Sequence, residues 1–458
     1  MWWLQLGLPV LLGGRYLWNG FAENRRRLQL WRSATAQHEM CEVESSGFWD
    51  WRAQLTARSG SIEVRITAAR GKGSQVAVVI EGSEGFPGVR LRRQFLKLWT
   101  REIEIGDEAF DSAFLVEGPE RSVRALLNAA MRRQLLHASA TLPSFEIESG
   151  RLRVEMSEEA LPRTLPLLLD IGRQLAGPVD MERRLARNAR RDPQSKVRLF
   201  NLLLLIRERP GAPDTMKALR IACSDGSPKV RVRAAIELGD EGRDVLLKLA
   251  EKSGDDDSCA RAVSHLGSKL PFERVRDILS RSLRKGFLQT TRACLETLGH
   301  RRAAAVGVLA RVMAEETGEL ATAAAQALGT TGEAAAEPPL LEALQSEDSS
   351  LREAAATALG RMGSVAAVQP LKEAAERFWL DVSLRQATRQ AIAEIQSRLD
   401  GASPGQLSLA AAEAGQLSLA QAEAGQLSLA TDPSGQLSLP QGEPGSANPA
   451  HAAGSTNP

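Results

Sequence analysis

Aromatic side chains and cysteines are scarce in this chain of 458 residues. Aromatics make up 4% of the sequence, and seven of the eight tryptophans lie within the first hundred residues. The last third is rich in alanine instead, so the composition predicts at least one domain boundary. The four cysteines, Cys41, Cys223, Cys259 and Cys294, lack the CxxC or Cys/His spacing of a zinc site. We predict that the last three are reduced core residues in a reducing compartment.

The sequence motifs of common catalytic and nucleotide sites are missing as well. No GxxxxGK[ST] loop and no GxGxxG segment after a strand occurs, which removes support for nucleotide binding through those loops. None of the five histidines has a metal-binding or nucleophilic partner within helical reach. Asp107 and Asp111 are carboxylates four residues apart, for which we predict a turn or capping role. We therefore predict a protein that is not an enzyme and has no catalytic residue, metal ligand or cofactor.

Charge is nearly balanced over the chain but unevenly distributed. A formal net charge of +2, from 58 basic and 56 acidic residues, excludes a strong overall field. Residues 182–302 hold 27 basic and 16 acidic residues, whereas residues 303–400 hold 8 and 14. A charge run of this kind is usually a solvated face, and the alternative interpretation is a ridge that binds phosphates or an acidic protein surface. The candidate ridge residues are Lys229, Arg231, Arg233, Arg261, Arg292, Arg301 and Arg302.

The N-terminal unit, residues 1–37, begins with an apolar stretch that allows two interpretations. No basic segment precedes the stretch, so a cleaved signal peptide fits poorly. It is long enough to span a bilayer and is followed by three arginines at residues 25–27, which favours an anchor. A buried or interfacial helix is the favoured alternative, because Arg15 is costly inside a membrane. We expect a cytoplasmic protein, with residues 1–22 as a candidate anchor to the inner membrane.

Residues 38–178 show the pattern of an α+β domain. Ile62, Val64 and Ile66 alternate with polar residues, and residues 76–80 form a second apolar run. Two neighbouring strands are therefore expected. The other expected elements are a helix, a hairpin and a second helix, over residues 122–136, 145–156 and 165–175.

One segment of this domain carries a recognisable pattern. Residues 106–118 read GDEAFDSAFLVEG. This GD..FD..F.V.G pattern resembles a segment of uncharacterised bacterial proteins, in which it precedes a helix and a β-hairpin. The resemblance implies no activity.

From residue 192 onward the sequence repeats. Leucine-glycine pairs end at Gly239, Gly267, Gly299, Gly329 and Gly360, with spacings of 28, 32, 30 and 31 residues. These spacings are typical of a two-helix repeat. Small alanines allow a neighbouring helix to approach closely, and each glycine is expected to end the first helix in a left-handed conformation. A single hairpin cannot bury its apolar face, so we expect the units to stack.

This repeat resembles the short HEAT repeats of phycobilin lyases. The clearest copies are residues 351–363, LREAAATALGRMG, and residues 230–239, VRVRAAIELG. The resemblance implies a bacterial α-solenoid of HEAT-type hairpins over residues 179–400, in a family made mostly of scaffolds and adaptors. Residues that would hold a bilin have no counterpart here, so lyase activity is not implied. The expected fold is mainly α, with the α+β domain in front and a disordered tail behind.

The tail, residues 401–458, is of low complexity. The pentapeptide GQLSL recurs four times with a ten-residue period, and the tail contains no lysine or arginine. We predict disorder, because little apolar surface is available to offset the entropy lost on ordering. The last copy, with Gln436, Leu437, Ser438 and Leu439, resembles short peptides with which bacterial proteins dock into the sliding clamp of the replisome.

The sequence therefore predicts a non-catalytic scaffold that binds a protein partner through the surface of its solenoid, lined by the second helices. A nucleic-acid-binding protein that uses the basic half is the first alternative. Association with the sliding clamp through the QLSL peptides is the second alternative.

Overall fold

The structure of the protein is a computed structural model that describes residues 22–46, 53–68, 74–82, 88–93, 102–148, 150–177, 180–398, 407–409 and 417–419. The hypothesis of a membrane anchor falls almost wholly on residues 1–21, outside the described residues. The clamp-like peptide at residues 436–439 also lies outside them. The chain divides into two compact units, Met1–Leu266 and Gly267–Pro458.

The first unit begins with an antiparallel sheet, whose strands follow the order β1-β2-β3-β4-β8-β7-β5-β6. The two strands expected around Val64 and residues 76–80 do pair, with Val64 opposite Ile80. The expected hairpin is also present, with Phe145 opposite Val154. The strands are β1 (Cys41–Ser46), β2 (Gln54–Ser59), β3 (Ile62–Ala68), β4 (Gln75–Gly82), β5 (Arg90–Arg93), β6 (Phe114–Glu117), β7 (Ser144–Glu148) and β8 (Arg151–Ser157).

Helices cover this sheet and share its apolar core. They are α1 (residues 22–36), α2 (Glu108–Ala113), α3 (Glu120–Leu126), α4 (Ala129–Thr141) and α5 (Leu161–Ala176). The prediction of one helix over residues 122–136 is wrong, because Asn128 separates α3 from α4. Its side chain accepts hydrogen bonds from the backbone N–H groups of Ala130 and Met131 and so caps the second helix.

The described residues 180–398 are helical, and from α7 onward first and second helices alternate along the chain. In the first unit, α6 (Met181–Arg191) precedes the hairpin helices α7 (Ser195–Glu208), α8 (Pro213–Ala222), α9 (Pro228–Leu238), α10 (Arg243–Lys252) and α11 (Asp256–Leu266). The second unit contains α12 (Phe272–Lys285), α13 (Leu288–Gly299), α14 (Ala303–Glu315), α15 (Glu319–Thr331), α16 (Glu337–Ala343), α17 (Ser349–Met362), α18 (Val368–Arg377) and α19 (Val382–Ser397). The odd-numbered helices from α7 to α19 are the first helices. This arrangement confirms the predicted mainly α fold with a helical solenoid.

A buried arginine joins the sheet domain to the helices that follow it within the first unit. Arg132 on α4 is 1% exposed and donates two hydrogen bonds to Asp192, which precedes α7, at 2.9 and 3.0 Å. Its Nε donates to Asp107 at 2.7 Å. Burial opposes the charge of Arg132, but the hydrogen bonds to Asp192 and Asp107 outweigh it and raise the pKa of Arg132. The buried guanidinium of Arg132 therefore stays charged.

Residues 106–118, which carry the GD..FD..F.V.G pattern, also contribute to this contact between the sheet domain and the helices. Asp111 accepts hydrogen bonds from the backbone N–H groups of Ile105 and Gly106, at 2.9 and 2.8 Å, which confirms its predicted turn role. Burial raises the pKa of Asp111. Gly106 has a φ of +94°, and a Cβ there would lie 2.7 Å from Cβ of Lys196 on α7. The conformation and the close approach both require glycine.

Arginines near the start of first helices form hydrogen bonds that connect successive hairpins. Arg198 donates to the carbonyl of Asp192 and, through Nε and Nη2, to the carboxylate of Asp225, each at 2.7 Å. Burial disfavours the ionised form of Asp225, but the hydrogen bonds from Arg198 and from the backbone N–H of Ser227, together with the positive charges of Arg198 and Arg231, outweigh it and lower the pKa of Asp225. Arg352 repeats the arrangement and donates to Asp381 at 2.7 Å.

The glycines of the leucine-glycine pairs fall into two classes. Gly239 and Gly267 follow first helices and have the positive φ that favours glycine, +60° and +45°, although the ψ of −120° at Gly239 differs from the predicted left-handed helical conformation. The same prediction is wrong for Gly299, Gly329 and Gly360, which belong to α13, α15 and α17 and are absent from the positive-φ glycines of the described chain. In the second unit, the glycines of the leucine-glycine pairs are therefore required for a reason other than a positive φ.

That reason is the close approach of neighbouring first helices. A Cβ at Gly329 would lie 2.6 Å from Cβ and 2.7 Å from Cα of Ala358 on α17. A Cβ at Gly360 would lie 2.9 Å from Cα of Ala391 on α19. No side chain fits at these points, so glycine and alanine together set the spacing of the first helices.

The cysteines and the tail complete the described chain. Cys259 and Cys294 are buried, Cys223 is half-buried, and burial raises the pKa of the Cys223 thiol. Within the tail, two short strands, β9 (Leu407–Leu409) and β10 (Leu417–Leu419), pair antiparallel. The remaining residues of the predicted disordered tail lie outside the described residues.

Candidate partner-binding grooves on the first helices

A groove of about 360 Å³ crosses three first helices of the first unit. Its floor is aliphatic, because Leu199 and Leu203 on α7 lie beside Val232 and Ile236 on α9. Each pair has the i, i+4 spacing that places two side chains on one face of a helix. Leu199, Leu203 and Ile236 are only half-buried, so the floor is accessible to a ligand.

Three of the predicted ridge residues line this same groove. They are Lys229 and Arg233 on α9 and Arg261 on α11. Arg233 pairs with Glu237 at 2.6 Å, and Arg261 pairs with Asp257 at 3.1 Å. Lys229 is exposed at the edge. The groove thus combines an aliphatic floor with a positively charged rim.

Two other ridge residues bind the chain itself. Arg231 donates from Nη1 to the carbonyl oxygens of Asp225 and Gly226, at 2.6 and 3.2 Å. In the second unit, Arg301 donates to the carbonyls of Ser268, at 2.9 Å, and Leu270. Both guanidinium groups hold loops between helices, so their first role is structural.

Arg292 and Arg302 belong to the second unit and are exposed. Arg292 lines a larger, polar groove of about 660 Å³ across α13, α15 and α17. Arg302 lies between α13 and α14 with a φ of +53°. The lining of the polar groove mixes both signs of charge, and its charged residues and histidine are Arg292, Glu296, His300, Glu353 and Arg361.

The grooves lie on the first helices, whereas the sequence interpretation placed the binding surface on the second helices. A third groove, of about 220 Å³, also lies on first helices, because residues of α17 and α19 line it. The aliphatic floor residues were missed because Leu203 lies in the leucine run of residues 202–205, which reads as core. Their i, i+4 spacing, which places each pair on one face of its helix, was the available signal.

Two further properties concern the described part of the chain. Over these ranges, no group of three or more His, Cys, Asp and Glu side chains is arranged to hold a metal ion. None of the helices within them has the length and apolar character needed to cross a membrane.

Comparison with known proteins identifies the repeat. Residues 307–393, from α14 to α19, match the family model of HEAT repeats. This part of the chain is similar to HEAT repeats. These repeats generally serve as protein-interaction scaffolds and are generally not enzymes. No curated protein matches this chain.

A solved structure of human deoxyhypusine hydroxylase in complex with glycerol is similar to part of this chain. The two chains are 15% identical, and the match covers 47% of this chain and 96% of the other. The TM-score is 0.22, which is too low to support an argument about fold or activity.

Proposed function

We propose that this HEAT protein is a non-catalytic scaffold that binds a partner protein through its first helices. The groove across α7, α9 and α11 is the proposed main site. The observation that supports it is the convergence of Lys229, Arg233 and Arg261 around an aliphatic floor. Such a site suits a segment that presents both aliphatic and acidic side chains.

The charges of the groove favour an acidic ligand over a neutral one. Lys229, Arg233 and Arg261 are opposed within the lining by Asp257 alone, which leaves two positive charges in excess. The aliphatic floor supplies contact area, and the positively charged rim favours a partner segment with negative charge. An acidic group at the rim would compete with Asp257 for Arg261 and would meet Lys229 directly.

The contacts that the ridge arginines already make render nucleic acid a weaker candidate ligand than an acidic protein segment. Arg231 and Arg301 bind backbone carbonyls, and Arg233 and Arg261 each pair with a carboxylate. These contacts reduce the cations available to phosphates. If nucleic acid is nevertheless the ligand, DNA binding must weaken steeply with salt, and absence of binding at low salt removes this alternative.

Three finer hypotheses stay predictions. They are clamp binding through residues 436–439, a repeat of the phycobilin-lyase type in a bacterial protein, and a cytoplasmic location with an inner-membrane anchor at residues 1–22. None of them is needed for the proposed site.

Selection of peptides on the immobilised full-length protein tests the proposed function. A random peptide library should yield a consensus with aliphatic and acidic residues. Binding of a selected peptide should weaken about tenfold or more with Lys229→Glu, which corresponds to about 1.4 kcal/mol. The matched control is Lys248→Glu, the same charge reversal at an exposed position on the second helix α10. A basic consensus, or equal effects of the two substitutions, would contradict the proposal.

A further inference from the structure

The turn between α18 and α19 exposes a cluster of apolar side chains. Trp379, Leu380 and Val382 are 65%, 74% and 66% exposed, more than the other large hydrophobic residues exposed in the described chain. They lie within four consecutive residues of this turn, and together they are called the patch. Exposed apolar residues that are grouped in this way mark a contact surface more often than scattered ones do.

The turn is held firmly in this exposed form. The guanidinium of Arg352 lies 3.9 Å from the ring centre of Phe378 and also binds the carboxylate of Asp381 at 2.7 Å. Asp381 in turn caps α19, because its Oδ1 accepts the backbone N–H of Leu384 at 3.0 Å. Trp379 and Leu380 lie between these two fixed residues. Turning them inward would break the contacts of Arg352, so covering the patch requires another segment.

The chain's own C-terminal segment follows the same helix and can reach the patch. Helix α19 has 16 residues and is therefore about 24 Å long. A segment returning from Ser397 to the turn needs about eight extended residues. The first GQLSL copy already begins at Gly405, and each later copy lies farther along the chain. The chain that precedes each of the four copies is therefore long enough for the copy to reach the turn.

The chemistry of that segment complements the patch. Each GQLSL copy brings two leucines, and residues 421–440, which carry two copies, contain the acidic residues Glu423 and Asp432 but no lysine or arginine. The turn is flanked by Arg377 at the end of α18 and by Arg385 and Arg389 on α19. Leucines can cover the apolar side chains while the acidic residues face these arginines.

Two of the four copies already have a partner. Leu409 pairs with Leu417 and Ser408 with Ser418, in the short strands β9 and β10. The third and fourth copies, at residues 425–429 and 435–439, lie outside the described residues. We propose that the segment carrying these two copies, residues 421–440, docks on the turn formed by Trp379, Leu380 and Val382. Because it is tethered, the segment acts at a high effective concentration, and any outside ligand of the turn must displace it.

The fluorescence of Trp379 tests this docking in the full-length protein. The signal of Trp379 is the difference between the wild type and Trp379→Phe, which removes the contribution of the other seven tryptophans. In the wild type this difference signal should be blue-shifted and protected from acrylamide. Replacing the leucines of the two copies by serine should shift it to the red and remove the protection. The substituted residues are Leu427, Leu429, Leu437 and Leu439.

A matched variant and an added peptide complete the test. Ser428→Ala with Ser438→Ala changes the same segment but keeps its leucines, so protection should persist. A synthetic peptide of residues 434–440 should restore protection to the serine variant. The proposal is overturned if the wild type is as accessible to acrylamide as the serine variant. Protection that disappears on dilution of the wild type also overturns it, since the occupant would then come from a second copy of the chain.

Discussion

The same substitution, glycine to alanine, should have opposite effects at two helical positions of the second unit. Gly329 lies in α15, where a Cβ would meet Cβ and Cα of Ala358 at 2.6 and 2.7 Å. Gly307 lies in α14, where a Cβ would meet nothing within 4 Å. Both positions are helical and neither has a positive φ. The pair therefore separates helix propensity from the close approach of helices.

The expected magnitudes follow from these contacts. Alanine in place of glycine stabilises a helix interior by about 1 kcal/mol, so Gly307→Ala should raise the free energy of unfolding by about that amount. At Gly329 the same gain is opposed by overpacking against the backbone of α17, which costs about 2 kcal/mol. We expect a net loss of about 1 kcal/mol and thus a difference of about 2 kcal/mol between the variants.

Urea unfolding followed by far-ultraviolet circular dichroism measures both variants against the wild type. Equal m-values would show that the exposed surface is comparable in all three proteins. If Gly329→Ala is as stable as Gly307→Ala, the glycines do not set the spacing of the first helices. The explanation of the leucine-glycine repeat in the second unit would then be refuted.

Two further predictions concern the first unit. Asp192→Ala should lower the free energy of unfolding by about 3–5 kcal/mol, because Arg132 keeps its buried charge but loses its main partner; urea unfolding measures this, and a loss below about 1 kcal/mol would contradict a buried pair. The pKa of Asp225 is lowered in the folded state, so its contribution to stability is complete above the unfolded pKa of about 3.9 and is lost as pH falls through the folded pKa. Unfolding measured between pH 7 and pH 3 should therefore show a smaller acid dependence for Asp225→Asn than for the wild type, and identical slopes would disprove the contribution.

Local patterns were sufficient to predict the main elements of the fold. Alternation around Val64 identified a strand, and the period of the leucine-glycine pairs identified the helical hairpins. These signals are local because side-chain periodicity follows directly from strand and helix geometry. Asn128 was overlooked because a residue that caps a helix is also tolerated within one, and only the backbone conformation distinguishes the two cases.

The site was harder to predict, because the sequence does not show which group each charged side chain contacts. Arg231 and Arg233 are two residues apart on α9, yet one binds loop carbonyls and the other lines the groove. Their directions differ by about 200° around the helix. The aliphatic floor depends on which faces of α7 and α9 stay uncovered by their neighbours. That information is tertiary and is not contained in the spacing of the repeat.

Photo-crosslinking tests most directly whether a partner binds on the first helices. A photoreactive amino acid would replace Lys229 in the groove in one protein and Lys248 on α10 in another, both in the full-length chain. Each protein would be irradiated with the selected peptide. We predict a crosslinked product from position 229 and none from position 248. A product from position 248 alone would contradict binding at the first helices.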